Sequence, residues 1–164
     1  MKIFICIPNL VMVLENSEQE CVDIILENHP GDAWVYTNDK YSFLDGMFVR
    51  GGVIKAVAEI KSRECAFGTH KKEMLNWNKL EAGQWASRSF RCPFYLFSYH
   101  AVSDLVACYQ ITNNVGEFVR KFEISDYGQN RSKEDRENKT VRKTVWLESK
   151  DPSVIKRCGL RCIY

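Results

Sequence analysis

Two adjacent glycines, Gly51 and Gly52, stand between two apolar runs, and no other feature of the chain narrows its folding options as much. A glycine pair in that place is a strong hairpin signal. A two-residue turn wants positive φ at both positions, which glycine adopts without a steric penalty. The segments 41–50 and 53–61 then read as antiparallel strands. Side chains alternate faces along a strand, so Ile54, Ala56, Ala58 and Ile60 form one apolar face suited to packing on a helix, and Glu59 and Lys61 project from the other. The turn also sets register. Asp45 lies six residues before Gly51 and Glu59 seven after Gly52, so the hairpin brings the two acids nearly opposite. Cross-strand neighbours have Cβ atoms about 4.5–5.5 Å apart. Carboxylates that close repel unless a cation lies between them. Mg²⁺ suits the place, since it accepts one or two carboxylates and completes its shell with water and phosphate oxygens. Lys61, at the rim, can stabilise negative charge developing on a phosphate. A Glu-x-Lys triplet alone is common and fits an exposed hairpin with an ion pair. The apolar context Ala56-Val57-Ala58-Glu59-Ile60-Lys61 favours function, because buried strands rarely carry unexplained acids.

The 164 residues suit one domain, 1–164, able to bury a single core. With 45% hydrophobic and 27% charged residues the chain reads as globular, and its net charge of +2 excludes a general polycation. Any nucleic-acid contact must therefore come from local basic clusters. Seven scattered cysteines, several inside apolar runs, point to reduced thiols and not to a disulfide framework. The apolar run 3–14, broken by Pro8 and Asn9, is too short to span a bilayer and lacks a cleavage site. It reads as a buried strand or hairpin, with no membrane partner and a cytoplasmic location.

Elsewhere, a helix is expected over 17–28, capped by Ser17 and stopped at Asn28-His29-Pro30-Gly31. A strand follows at 33–37. After the hairpin, a second helix over 73–90 has an irregular apolar face of Leu75, Leu80, Trp85 and Phe90, then strands follow at 94–100 and 105–111. Segment 129–143 reads as a polar loop and 144–147 as a last strand. The fold class is α/β, a mixed sheet with helices packed on it.

Asp45, followed fourteen residues later by Glu59-Ile60-Lys61, resembles the signature of the PD-(D/E)xK nucleases. That superfamily includes type II restriction enzymes, archaeal Holliday junction resolvases, phage exonucleases and virus-type replication-repair nucleases. Leu44 stands where the family often has proline, and Glu59-Ile60-Lys61-Ser62-Arg63 looks especially like the archaeal resolvases and small phage nucleases. The resemblance covers about 17–111. It implies a restriction-endonuclease-like core, with a mixed central sheet flanked by helices, and a nuclease that hydrolyses DNA phosphodiesters with a metal-activated water. It implies Mg²⁺ or Mn²⁺ at Asp45, Glu59 and Ile60, a homodimer, and a cytoplasmic setting, that of the host cell for a phage protein. Members often carry an acid on the helix before the hairpin. Here Glu18 and Glu20 compete: Glu18 falls between Val22 and Ile25 on the sheet-facing side, and Glu20 falls at its edge. Glu18 is preferred because Ser17-x-x-Glu20 also makes a capping box. Members also often carry a glutamine or lysine on the following helix. Leu80-x-x-x-Gln84-Trp85 resembles that motif, with Lys79 a second candidate, although a solvated helix face explains either equally. Arg63 and Lys79 are candidate nucleic-acid contacts. So are Arg131, Lys133 and Arg136 in 129–143, which also holds Glu134, Asp135 and Glu137.

Other chemistries fit poorly. Cys158-x-x-x-Cys162 lacks partners for zinc, since His29, His70 and His100 are not suitably spaced. No local pattern marks a Cys–His nucleophile, and no glycine loop cradles phosphate. Two further functional classes stand against the nuclease: a non-catalytic nucleic-acid-binding protein with this fold, and a viral inhibitor acting through protein contacts. The first has no need of a carboxylate pair that repels phosphate, and the second predicts no cation-dependent activity.

Overall fold

The computed structural model describes residues 16–37, 44–130, 139–150 and 152–157. Its elements run α1 (Asn16–Asn28), β1 (Ala33–Tyr36), β2 (Gly46–Arg50), β3 (Val53–Arg63), β4 (Lys72–Asn76), α2 (Trp77–Phe90), β5 (Phe94–His100), β6 (Leu105–Thr112), β7 (Phe122–Asn130), β8 (Lys139–Glu148) and β9 (Ser153–Lys156). The glycine turn forms as its composition requires, with φ of 57° at Gly51 and 77° at Gly52. Pairing of β2 with β3 starts at Arg50↔Val53 and Val49↔Ile54, then jumps to Phe48↔Ala56. Lys55 is the extra residue of a bulge.

That bulge corrects the expected faces. Ala56, Ala58 and Ile60 pack together under α1, against Cys21, Val22, Ile24 and Ile25. Ile54, expected with them, packs instead with the opposite cluster, which holds Val57, Leu80, Leu96 and Tyr109. One unpaired residue is enough to move a side chain to the other side of a pleated strand.

The main sheet has the order β1-β2-β3-β5-β6-β9. Only β3 and β5 run parallel, joined by a crossover through β4 and α2; the other neighbours are antiparallel. The fold is thus α/β with a mixed sheet, α1 covering one face and α2 the other. Helix α2 comes very close to β5: a Cβ on Gly83 would stand 2.2 Å from the Phe94 ring. A second sheet, β4-β8-β7, adds Leu75, Val145 and Leu147 to the core beneath α2.

Several sequence expectations shift. The segment 73–90 is not one helix: its first residues belong to β4, where Leu75 and Glu73 are buried, and α2 starts at Trp77. On α2, Leu80 is buried, but Trp85 and Phe90 are exposed, so they are not its core face. The segment 129–143 is not simply a loop, because β7 runs to Asn130 and β8 starts at Lys139. The expected last strand, 144–147, is the buried end of β8; strand propensity does not extend it back through 139–143, which is rich in basic residues and exposed at 141–143. Nor does it flag the short β9. Helix α1 begins at Asn16, which puts Ser17 inside its first turn and not at the cap. The run 3–14, residues 41–43, Cys158 and Cys162 lie outside the described residues. Cys21, Cys65, Cys92 and Cys108 are free, and burial pushes the Cys108 thiol up to about 12, as befits a small core hydrophobe. No helix among the described residues is long and apolar enough to cross a membrane.

Candidate functional site

Asp45 precedes β2 in a bend whose backbone is held from both sides. Its N–H donates to Ala58 O at 3.1 Å, and its carbonyl accepts from Thr37 N at 3.3 Å. The pairs Met47↔Val57 and Gly46↔Ala58 put Asp45 next in line, opposite Glu59. Without the bulge the same turn would set Asp45 opposite Ala58, so the unpaired Lys55 brings the two acids into register.

Both acids lie on the α2 side of the sheet, and α2 supplies the side chain between them. Lys79, third residue of α2, places its ammonium 3.1 Å from Asp45 Oδ1 and 2.8 Å from Glu59 Oε2. Asp45 Oδ2 accepts the Ile60 backbone N–H at 2.6 Å, which fixes the carboxylate plane. Lys61 donates to Glu59 Oε1. Glu59 has no exposed surface, whereas the Asp45, Lys61 and Lys79 side chains reach the surface in part. Burial pushes the Glu59 carboxyl above its usual range; Lys61 and Lys79 pull it down and Asp45 adds to the rise. Burial pulls the Lys79 ammonium down, but Glu59 and Asp45 outweigh it and hold it above the usual lysine value.

The structure thus brings Asp45, Glu59, the Ile60 backbone, Lys61 and Lys79 together, and leaves the other candidates elsewhere. Glu18 lies on α1, across the sheet, where its charge raises Cys21 and Tyr36, each of which burial raises more. Glu20 is exposed and pairs with Arg157 and not with the start of α1, so the capping box is not made. Among the described residues no group of three or more His, Cys, Asp or Glu side chains is arranged to hold a metal, and the acids stand as a pair. Gln84 points away and donates to Gly116 O at 2.9 Å. At 100° per residue, Lys79 and Gln84 sit roughly 140° apart on α2, so one helix cannot offer both to one site. Arg63 is taken up by Glu73, donating from Nη2 at 2.9 Å and Nε at 3.2 Å. Arg131, Lys133 and Arg136 lie outside the described residues.

Sequence reasoning missed one polar group altogether. Buried Glu73 of β4 also accepts from Ser98 Oγ at 3.0 Å and faces His100 Nε2 at 3.6 Å. Burial lowers the His100 imidazole, with Glu73 pulling the other way. The cluster ties the second sheet to the ends of β3 and β5. It is hidden because Glu73 reads as a helix start when β4 is not recognised.

No protein-family model matches the chain, and no curated protein matches it in sequence. Among solved structures it is similar to Hjc, a Holliday junction resolvase from the archaeal hyperthermophile Archaeoglobus fulgidus. The TM-score is 0.42 and the identity 13%, over 55% of this chain and 74% of that one. A likeness that partial is one of chain path, and the site rests on its own geometry.

Proposed function

We propose that this protein is a metal-dependent nuclease of the PD-(D/E)xK type that hydrolyses DNA phosphodiester bonds. One observation carries the reading: Asp45, in the bend before β2, and Glu59, on β3, present oxygens to a single cationic nitrogen, at 3.1 and 2.8 Å. A gap that holds an ammonium between two carboxylates has the charge and donor type for a hard divalent cation. Mg²⁺ or Mn²⁺ fits on those grounds, with Asp45 and Glu59 as ligands beside the Ile60 backbone. Such an ion supplies Lewis-acid polarisation of a phosphate and lowers the pKa of a water.

The remaining work falls to the chain itself. Ile60 N–H holds Asp45 in one orientation, so no reorganisation is needed as charge develops. Lys61, partly exposed beside a fully buried acid, stands where a phosphate would approach, and its ammonium can neutralise the charge that builds on the phosphoryl oxygens. DNA is the partner in this reading.

The test is a cleavage assay in Mg²⁺ and Mn²⁺ on single-stranded, duplex, flap and four-way junction DNA, with Glu59→Ala as control. Cation-dependent cleavage that the variant lacks is the expected result. Cleavage that needs no cation would end the metal-dependent reading, and none on any substrate would end the nuclease reading in favour of a binding or interaction protein.

A further inference from the structure

On the reading of Asp45 and Glu59 as a divalent-cation site, we infer that Lys79 is its resident counter-ion, whose ammonium spans both carboxylates and must give them up when a divalent cation binds. The partners of each oxygen lead to this. Asp45 Oδ2 is taken by Ile60 N–H at 2.6 Å, and Glu59 Oε1 by Lys61. The remaining oxygens, Asp45 Oδ1 and Glu59 Oε2, are the two that Lys79 touches, at 3.1 and 2.8 Å. A cation seeking both acids meets the Lys79 ammonium on the same oxygens.

Charge points the same way. Two acids and two lysines make a neutral group, so the buried Glu59 is tolerated without any ion. A divalent ion added to that group leaves two positive charges in excess, and the ammonium nearest the ion is the one repelled. Lys79 can respond because its long side chain pivots while its backbone stays fixed in α2. Once released, it stands beside Lys61 at the exposed rim, where a phosphate carries the opposite charge. Lys79 is therefore a positioning residue: it keeps the acids paired before the ion arrives and turns to the substrate afterwards.

Two measurements test this. The first is Mn²⁺ affinity, by calorimetry without DNA, in the wild type, Lys79→Met, Lys61→Met and Asp45→Asn. Lys79→Met should bind Mn²⁺ at least about tenfold more tightly than the wild type, and more tightly than Lys61→Met, because Lys61 touches one acid and Lys79 both. The second is amine labelling of the wild type, read by mass spectrometry. Labelling of Lys79 should rise several-fold on adding Mn²⁺, while that of exposed Lys150 stays constant. If Lys79→Met fails to fold, Lys79→Gln takes its place, and the labelling needs no variant. Wild-type Mn²⁺ binding that Asp45→Asn abolishes but Lys79→Met does not tighten, with Lys79 labelling unchanged, would overturn this inference and leave the nuclease site standing. No Mn²⁺ binding by either the wild type or Lys79→Met would overturn both.

Discussion

Glu59 concentrates the chemistry of the site in one side chain, because it is a fully buried acid whose counter-charges come from two lysines. If it holds the cation, Glu59→Gln should remove cleavage while the fold persists, as should Asp45→Asn and Lys61→Met. Full activity in purified, folded Glu59→Gln would end the assignment. Burial also makes a prediction about stability. Glu59 is raised above its ordinary value of 4.5, burial being the largest cause. As pH rises through the window between that value and the raised one, the unfolded chain sheds this proton first. The folded state therefore loses stability across the window and carries the full penalty above it. Without divalent ions, Glu59→Gln should melt above the wild type at neutral pH, and the gap should close on acidification. Each kcal/mol shifts the melting temperature by about 2–4 °C in a chain of this size. A gap that widened on acidification, in melts run with a chelator, would contradict the burial argument.

At the scale of elements, the hairpin is the unit that makes the site, and it is largely legible in the sequence. The glycine pair, the pattern around Ala56 and Ala58 and the spacing of Asp45 and Glu59 all appear there, since turn type and period-two alternation are local. The bulge is not legible, because Lys55 looks like any polar strand residue, and it moves Ile54 to the other face. Deleting Lys55 should leave Val49↔Ile54 and Phe48↔Ala56 as consecutive pairs, with Asp45 still facing Glu59. Cleavage should then survive within roughly tenfold, whereas deleting Val57 should flip the strand and abolish it. Equal loss in both deletions would show that the bulge itself shapes the site. Lys79 is half legible: its place on a helix after the Glu59 strand can be read, but helix phase depends on where α2 starts, and β4 carries no clear signal. The buried Glu73 cluster, built from β3, β4 and β5, depends on tertiary pairing and has no local signature. Glu73→Ala strands Arg63 in a part-buried setting, so it should cost about 3–5 kcal/mol in urea unfolding. A loss below about 1 kcal/mol would make the cluster a surface ion pair in energetic terms.

For the whole molecule, the proposed activity requires that a chain with a net charge of only +2 engage a polyanion. The second sheet offers a route. β4 runs straight into α2, which carries Lys79, and pairs with β8, which pairs with β7. Lys143 of β8 sits 3.9 Å over the Trp77 ring, which anchors the sheet to the start of α2. Beyond Thr144 and Val145, which are buried, the ribbon is solvent-facing: Asp126, Tyr127, Val141, Arg142 and Lys143 are all exposed. Arg131, Lys133 and Arg136 fall between β7 and β8 in sequence, outside the described residues. On the proposed nuclease reading, this ribbon and the basic segment between its strands in sequence would hold the nucleic-acid backbone without entering the chemistry. Replacing Arg131, Lys133 and Arg136 together with Ala should weaken DNA binding alike for all sequences. The slope of log affinity against log salt should flatten by up to about 0.9 for each duplex phosphate that is no longer neutralised. Cleavage at saturating DNA should hold, because Asp45, Glu59 and Lys61 are untouched. The measurement is a salt titration of DNA binding in Ca²⁺, chosen to permit binding without hydrolysis. If the triple variant keeps the wild-type slope, the segment is solvated surface, and the phosphates must be met by lysines nearer the acids, Lys61 and Lys79 first among them.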